Sequence, residues 1–233
     1  MKIIPNFSPN HSKKTRSTKD IRFIIIHYTG MQSEIESIKR LKDPEYKVSC
    51  HYLINRKGRV TQMVKDVNIA WHAGKSKWKK YVNLNKYSLG IELVNKGHQF
   101  GYQNFSSKQI SSLILLCKRL KKKYLIKKEN FLGHSDIAPL RKLDPGEKFP
   151  WRKLCTHKIG KWYKKNPHIT NKKNIKKFFF QNLKKLGYRY FSVSKRSLKD
   201  KLIIKSFQRH YLPKNVTGKI DQKTLKISQL LSY

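Results

Sequence analysis

The chain has 233 residues, which is enough for one medium domain and a smaller second one. Its 38% hydrophobic and 12% aromatic residues can build a core, and this composition excludes a chain that is disordered throughout. The 54 Lys+Arg against 13 Asp+Glu give a formal net charge of +41, which is typical of an anionic partner or of a drift toward lysine. The three widely spaced cysteines predict neither a disulfide framework nor a cysteine-built zinc site.

The first 20 residues are polar and contain two prolines, so we predict an extended N-terminal arm over residues 1–20. It contains no apolar run of signal-peptide length and none long enough to span a membrane. The sequence therefore shows neither an export signal nor a transmembrane segment, and the compartment stays open.

The first half of the chain has the pattern of strands with a short helix. A β-branched run predicts a buried strand over 22–28, and a second apolar run predicts another over 88–94. Residues 33–41 fit a short helix. Residues 51–55 and 60–64 are separated by a turn that contains glycine, which indicates a hairpin.

The clearest helix is predicted over 106–123, where apolar residues recur at helical spacing after a serine cap. A short strand over 130–132 leads into an irregular loop over 133–151. Because strands and helices alternate, we predict an α/β fold with a central mixed β-sheet flanked by helices.

The composition changes after Trp162, where Lys, Asn and Pro dominate. We predict a linker over 164–173 between a main domain over 21–163 and a tail over 174–233. The tail carries three short amphipathic patterns, which predict a small three-helix bundle. The second pattern carries Leu198, Leu202, Ile203 and Phe207, and the third follows Asp221 as the N-terminal cap.

The loop over 133–151 concentrates Asp136, Asp144 and Glu147 in a chain that has few acidic residues. Such placement suggests metal coordination or catalysis. Zinc hydrolases offer three protein ligands and leave one position for water, so His134 and Asp144 are candidates together with His27, which ends the first buried strand. A histidine at that place alone is also compatible with a core residue that makes one hydrogen bond.

Glu92 is the only acidic residue between Asp66 and Glu129, and it lies inside the second buried strand. An ionised carboxylate there is costly unless it is paired or serves a site. A partner lysine is one interpretation, and a general base that takes a proton from water is the other. Lys142 lies two residues before Asp144, where a cation would stabilise the oxyanion of a tetrahedral intermediate, although an ordinary surface lysine fits as well.

Over 21–154 the chain resembles the zinc-dependent N-acetylmuramoyl-L-alanine amidases, a family that includes phage-lysozyme-type amidases and peptidoglycan recognition proteins. The resemblance rests on ordered motifs, which are Ile-Ile-Ile-His-Tyr-Thr at 24–29, Val-Ser-Cys-His-Tyr-Leu-Ile at 48–54, Ala-Trp-His-Ala-Gly at 70–74, Ser-Leu-Gly-Ile-Glu at 88–92, Gly-His-Ser-Asp-Ile-Ala-Pro at 133–139, Lys-Leu-Asp-Pro-Gly at 142–146 and Phe-Pro-Trp at 149–151. The tail resembles a peptidoglycan-binding three-helix domain through 203–211 and 218–224.

The resemblance implies that His27, His134 and Asp144 bind Zn²⁺. It also implies that Glu92 is the catalytic acid/base and that Lys142 stabilises the transition state. His51 and His72 match family motifs, and we expect them to line or support the substrate cleft.

The implied activity is hydrolysis of the amide bond between the muramic acid lactyl group and L-alanine, in peptidoglycan or in muropeptides, including anhydro-muropeptides. Relatives work in the bacterial periplasm, at the cell envelope or in the cytoplasm, and the oligomeric state stays open. The alternative is a non-catalytic peptidoglycan-binding protein, but such relatives usually lose a zinc ligand. Nucleic acid is not an expected partner, because the lysines are diffuse and no recognition motif stands out.

Overall fold

The computed structural model describes residues 1–164 and 174–232, and a mixed sheet with helices against both faces forms its centre. Its strands, in chain order, are β1 (Ile3–Pro5), β2 (His11–Thr15), β3 (Phe23–Tyr28), β4 (Tyr52–Ile54), β5 (Val60–Gln62), β6 (Asn68–Ala70), β7 (Lys77–Trp78), β8 (Tyr81–Val82), β9 (Ser88–Leu93) and β10 (Phe131–Gly133). Its α-helices are α1 (Glu34–Lys42), α2 (Ser107–Lys123), α3 (His134–Ile137), α4 (Trp151–Thr156), α5 (Ile175–Leu186), α6 (Asp200–Tyr211) and α7 (Gln222–Ser232).

The main sheet has six strands in the order β1-β5-β4-β9-β3-β10. Only the hairpin pair β4 and β5 is antiparallel, whereas the other neighbouring pairs are parallel. The predicted mixed sheet is therefore confirmed. Because β9, β3 and β10 run in parallel, their carboxyl ends meet at one edge of the sheet, which brings distant parts of the chain together there.

One face of the sheet packs on α2. Alternation along β3 sends Ile24 and Ile26 to this face, where they join apolar side chains of α2 such as Leu113 and Cys117. Ser106 caps the helix by accepting a hydrogen bond from the backbone N–H of Gln109 at 3.1 Å. The predicted helix over 106–123 is confirmed, with its cap.

The opposite face of the sheet packs on the C-terminal helices. Phe23 and Ile25 of β3 share one buried core with Phe179 of α5 and Phe207 of α6. Burial of each such side chain stabilises the fold by about 1.5–3 kcal/mol. The C-terminal helices therefore lie directly against the sheet, and His27, which alternates with Phe23 and Ile25, projects from the face that they cover.

The described part of the tail contains three helices, α5, α6 and α7, as the three amphipathic patterns predict. Asp221 caps α7, accepting a hydrogen bond from Thr224 N–H at 2.7 Å, as predicted. The predicted apolar face of α6 was partly wrong, since Leu198 precedes the helix and is 98% exposed. Ile203 and Phe207 are buried as predicted, together with Tyr211, whereas Leu202 is 39% exposed. Apart from Lys164, the predicted linker lies outside the described residues.

The N-terminal arm is extended, as predicted, but it is also paired. β1 is the edge strand of the main sheet and runs parallel to β5, and β2 pairs with β6. A boundary between an arm and a main domain at residue 20 is therefore not visible in the hydrogen bonding. The sequence did not reveal this pairing for two reasons. The strands are short and lie among polar residues, and their partners lie more than 50 residues away in sequence.

Candidate metal centre and active site

Three side chains that are distant in sequence converge at the carboxyl edge of the sheet. His27 lies at the end of β3, and His134 begins α3 directly after β10, which pairs with β3. His27 Nδ1 is 2.9 Å from His134 Nδ1, and Asp144 Oδ2 is 3.0 Å from each of these nitrogens. All three side chains are buried, and the structure thus brings together the three residues that the sequence suggested as metal ligands.

Hydrogen bonds on the far side of each imidazole fix which nitrogen faces the cluster. His134 Nε2 donates to the carbonyl of Ala73 at 3.2 Å, which leaves Nδ1 without a proton. His27 Nε2 donates to His72 Nδ1 at 3.0 Å, and His72 Nε2 donates to Ser88 Oγ at 3.3 Å. Ser88 completes the chain by donating to the Leu84 carbonyl at 2.6 Å. The lone pairs of both Nδ1 atoms therefore point at each other and at Asp144.

The protonation states of the cluster agree with this arrangement. Burial, followed by the nearby His134, lowers the pKa of His27 to about 4, so the imidazole is neutral near pH 7. Burial alone would raise the pKa of Asp144, but the two imidazoles outweigh it and hold that pKa well below its usual range. Two imidazole nitrogens and a carboxylate are a donor set that zinc favours, and the three residues fit such an ion.

His72 and His51 lie beneath the cluster. His72 is 6% exposed and packs against Gly90 so closely that a Cβ on Gly90 would be 2.4 Å from its ring. His51 is 0% exposed, accepts a hydrogen bond from Gly90 N–H at 3.0 Å, and donates to the Asn68 carbonyl at 3.1 Å. The strand packing buries both side chains, and the expectation that they line or support the substrate cleft stays a prediction.

Glu92 is the register partner of His27 on the adjacent parallel strand, so both side chains project from the same face. Its carboxylate is buried, and Oε2 has no hydrogen-bond partner within residues 1–164 and 174–232. Burial, followed by the charge of Asp144, raises the pKa of Glu92 to about 8. No lysine among the described residues pairs with Oε2 of this carboxylate. With this pKa, the group can both hold and release a proton near neutral pH.

Lys142 is partly buried in the loop that carries Asp144. Its positive charge lies close enough to lower the pKa of both Glu92 and His27. A role for Lys142 in stabilising the transition state stays a prediction.

The other two carboxylates of the loop do not join the cluster. Asp136 binds protein donors, namely Gly133 N–H, the Tyr188 hydroxyl and His210 Nδ1. Glu147 pairs with His98 at 3.1 Å. Of the three acidic residues in the loop over 133–151, only Asp144 therefore lies where it could coordinate a metal ion.

Sequence reasoning missed the partners that fix the two imidazoles. Ser88 and the carbonyl of Ala73 act through single hydrogen bonds, for which a sequence carries no periodic signal. The motif Ala-Trp-His-Ala-Gly contains both His72 and Ala73, and its density of small and aromatic residues was the one available sign.

Membrane insertion through a helix finds no support in the described part of the chain. No helix there combines the length and the apolar character that a bilayer span requires.

Comparisons with known proteins identify relatives over most of the chain. Residues 17–147 match the family model described as N-acetylmuramoyl-L-alanine amidase. The chain is similar to N-acetylmuramoyl-L-alanine amidase AmiD of Escherichia coli K12, with 35% identity over 229 residues that cover 91% of this chain and 82% of AmiD.

Solved structures give the same result for the fold. The chain resembles AmiD from E. coli in complex with the substrate anhydro-N-acetylmuramic acid-L-Ala-D-gamma-Glu-L-Lys, with a TM-score of 0.80, 32% identity, and coverage of 94% of this chain and 91% of that chain. It also resembles AmpDH3 from Pseudomonas aeruginosa in complex with anhydromuramic pentapeptide, with a TM-score of 0.81, 28% identity, and coverage of 95% of each chain. The similarity therefore extends over nearly the whole chain rather than the sheet alone.

Proposed function

Since the chain belongs to the N-acetylmuramoyl-L-alanine amidase family and is therefore an amidase, we propose that its activity depends on zinc. The bond hydrolysed is the amide between the lactyl group of muramic acid and L-alanine. The observation that supports the metal is the convergence of two imidazole lone pairs and a carboxylate within 3.0 Å, without a proton donor between them. Such acceptors repel one another unless a cation joins them.

His27 Nδ1, His134 Nδ1 and Asp144 Oδ2 would hold the ion. Zinc bound by three protein ligands supplies a Lewis acid that polarises a carbonyl and lowers the pKa of water toward about 7. The chain of donors through His72 and Ser88 keeps His27 in the required tautomer.

Glu92 takes a proton from the attacking water and later returns it to the amine of L-alanine that leaves. Its raised pKa, about 8, suits both transfers near neutral pH. Lys142 places a positive charge near the carbonyl oxygen, where negative charge develops in the tetrahedral intermediate.

The proposed substrates are peptidoglycan and muropeptides, including anhydro-muropeptides. The solved complexes of AmiD and AmpDH3 contain anhydromuramic peptides, which supports the last class. A formal net charge of +41 favours capture of stem peptides, which carry carboxylates. We also propose that residues 174–233 contact peptidoglycan, as their sequence resemblance implies.

The test of the reaction is mass spectrometry of products from defined muropeptides after Zn²⁺ is added to metal-free protein. The expected products are a muramic acid sugar and a free stem peptide that begins with L-alanine. The matched controls are Glu92→Gln, which removes the base, and Glu129→Gln, which removes a partly exposed carboxylate outside the cluster.

Two results would contradict the proposal. Binding of muropeptide without cleavage would favour a recognition protein instead of an enzyme. An unchanged rate in Glu92→Gln would remove Glu92 from its role.

A further inference from the structure

The loop over 133–151 carries two of the three proposed ligands, and α6 contacts this loop near both of them. Ser206 Oγ donates to the carbonyl of Ser135 at 2.7 Å, next to His134. Arg209 Nε lies 3.8 Å from Glu147 Oε2, three residues after Asp144. The loop is therefore braced by a helix that the sequence assigned to a separate tail.

In this loop, three further hydrogen bonds converge on Asp136, whose side chain is buried with 1% of the residue exposed. Its Oδ2 accepts from Gly133 N–H at 2.8 Å and from His210 Nδ1 at 2.7 Å. Its Oδ1 accepts from the hydroxyl of Tyr188 at 2.5 Å. Two of these three donors, His210 and Tyr188, come from the C-terminal part of the chain, and they reach a carboxylate two residues after His134.

Hydrogen bonds also restrict the backbone of the turn from Gly133 to Asp136. Ser135 N–H donates to the carbonyl of Asp144 at 2.8 Å, so the backbones of the two ligand-bearing segments are joined directly. Gly133, at the end of β10, is held to Asp136 by its own N–H. A displacement of Asp136 would consequently rotate the turn that presents His134 Nδ1 and shift the backbone that presents Asp144.

The chemistry of this contact differs from simple packing. Apolar side chains such as Phe207 hold α6 against the sheet, but hydrophobic contacts do not orient individual polar groups. His210 instead stacks between the rings of Trp151 and Tyr211, each at 4.0 Å, and its Nε2 has no partner within the described ranges. Burial of an imidazole with one unsatisfied nitrogen is costly, which is consistent with a role for the bond at Nδ1.

We propose that Tyr188 and His210 are positioning residues of the metal centre. They hold Asp136, and through Asp136 they fix the turn that presents His134, so the C-terminal helices complete the ligand geometry. This inference rests on the proposed function, because it assumes that His27, His134 and Asp144 bind zinc.

The test compares variants of the full chain in their affinity for Zn²⁺, measured by competition with a chromophoric chelator. Tyr188→Phe removes only the hydroxyl, and His210→Leu removes the donor. His210→Asn is the conservative variant, because its amide N–H stands where Nδ1–H stands. Tyr163→Phe is the matched control, since Tyr163 packs in the same core without contacting Asp136.

We expect the Kd for Zn²⁺ to rise about tenfold in His210→Leu and about threefold to tenfold in Tyr188→Phe. These changes are at or below the low end of the 10–100-fold that direct hydrogen-bond partners of metal ligands contribute, because both residues act through Asp136. The Kd should stay within about threefold of wild type in His210→Asn, and it should be unchanged in Tyr163→Phe. Hydrogen exchange of the metal-free protein should quicken over 131–140 in His210→Leu and Tyr188→Phe, and not over α2.

An affinity within twofold of wild type in both His210→Leu and Tyr188→Phe would overturn the inference, as would equal losses in His210→Leu and His210→Asn. If His210→Leu no longer unfolds cooperatively, Tyr188→Phe alone provides the test, because this substitution deletes only one oxygen atom. Failure of the wild-type chain to bind Zn²⁺ at all would instead overturn the proposed function, whereas zinc binding that all variants share would remove only the positioning role.

Discussion

The loop over 133–151 buries two aspartates, and each lies beside histidine, yet their surroundings are opposite. Asp136 receives three protein donors and needs nothing further. Asp144 faces two imidazole nitrogens whose protons are directed elsewhere, so its partners are acceptors. The same residue type is thus structural at one end of the loop and suited to a cation at the other.

The difference lies in the second nitrogen of each imidazole. His210 has no partner at Nε2 among the described residues and directs Nδ1–H at Asp136. His27 and His134 donate through Nε2 to other groups and leave Nδ1 bare. A buried Asp–His contact therefore identifies a metal site only when the far side of the imidazole has been taken into account.

Exchange of each aspartate for asparagine gives the largest expected contrast. Asp144→Asn should lower affinity for Zn²⁺ by more than about 100-fold, since even outer partners of ligands contribute 10–100-fold. It should reduce muropeptide cleavage to background. Asp136→Asn should destabilise the metal-free fold by about 2 kcal/mol or more, because a buried donor that loses its acceptor costs about 1–3 kcal/mol. Its effect on zinc affinity should be smaller than that of Asp144→Asn, about tenfold, because Asp136 acts only through the turn that presents His134. Zinc competition and urea unfolding measure the two effects. The comparison would be contradicted if Asp136→Asn lost more zinc affinity than Asp144→Asn, and Asp144→Asn lost more stability than Asp136→Asn.

Glu92 extends the comparison to a buried carboxylate whose Oε2 accepts no hydrogen bond from the residues that the structure describes. Glu92→Gln should lower kcat by about 10²–10⁴, the usual contribution of a general acid/base, while zinc affinity changes less than about threefold. Steady-state kinetics with a defined muropeptide and zinc competition check both values. A parallel loss of zinc would mean that Glu92 acts as a ligand.

Lys142 sharpens the distinction between holding the ion and stabilising charge in the reaction. Lys142→Met should lower kcat by about 10²–10³, comparable to the loss of one oxyanion donor, with little change in KM. Lys148→Met is the matched control, because Lys148 is an exposed lysine in the same loop. A rise in KM without a change in kcat would assign Lys142 to substrate binding.

His72 tests whether the far side of His27 matters. His72→Phe keeps a ring against Gly90 but removes the acceptor for His27 Nε2–H. We expect zinc affinity to fall about 10–100-fold, as for other outer partners of ligands. Competition with a chelator measures the change, and an unaltered affinity would show that the tautomer of His27 is fixed by other means.

The smallest effect concerns pH. Burial, followed by the charge of Arg16, lowers the pKa of His51 to about 3, so the folded state keeps this imidazole neutral. The unfolded chain takes up a proton below about pH 6.5, and the stability that neutral His51 contributes is therefore full above that pH and lost as the pH falls toward 3. The slope contributed by this one group reaches about 1.4 kcal/mol per pH unit.

Urea unfolding of metal-free protein between pH 6 and pH 4 measures this slope. His51→Gln should flatten it by about one proton. Parallel curves for the variant and the wild type would show that His51 titrates in the folded state as it does in the unfolded chain.

Several elements were predictable from sequence because their signals are local. The β-branched run of β3, the helical spacing of α2 and the Asp221 cap of α7 each lie within one element. The candidate ligands were also accessible, since carboxylates are rare in this chain and Asp144 lies in an irregular loop. Residue types and spacing were sufficient where the determinant is a short stretch of chain.

Only the tertiary structure decided which polar groups face one another. The burial of His51 and His72, the pairing of β1 with β5, and the contact of His210 with Asp136 all join segments far apart in sequence. A hydrogen bond between two such side chains depends on ångström distances that packing sets, and no periodicity in the sequence encodes them. The sequence by itself determined the chemical groups available at this sheet edge, and the fold determined which of them receive hydrogen-bond donors and which face only other acceptors.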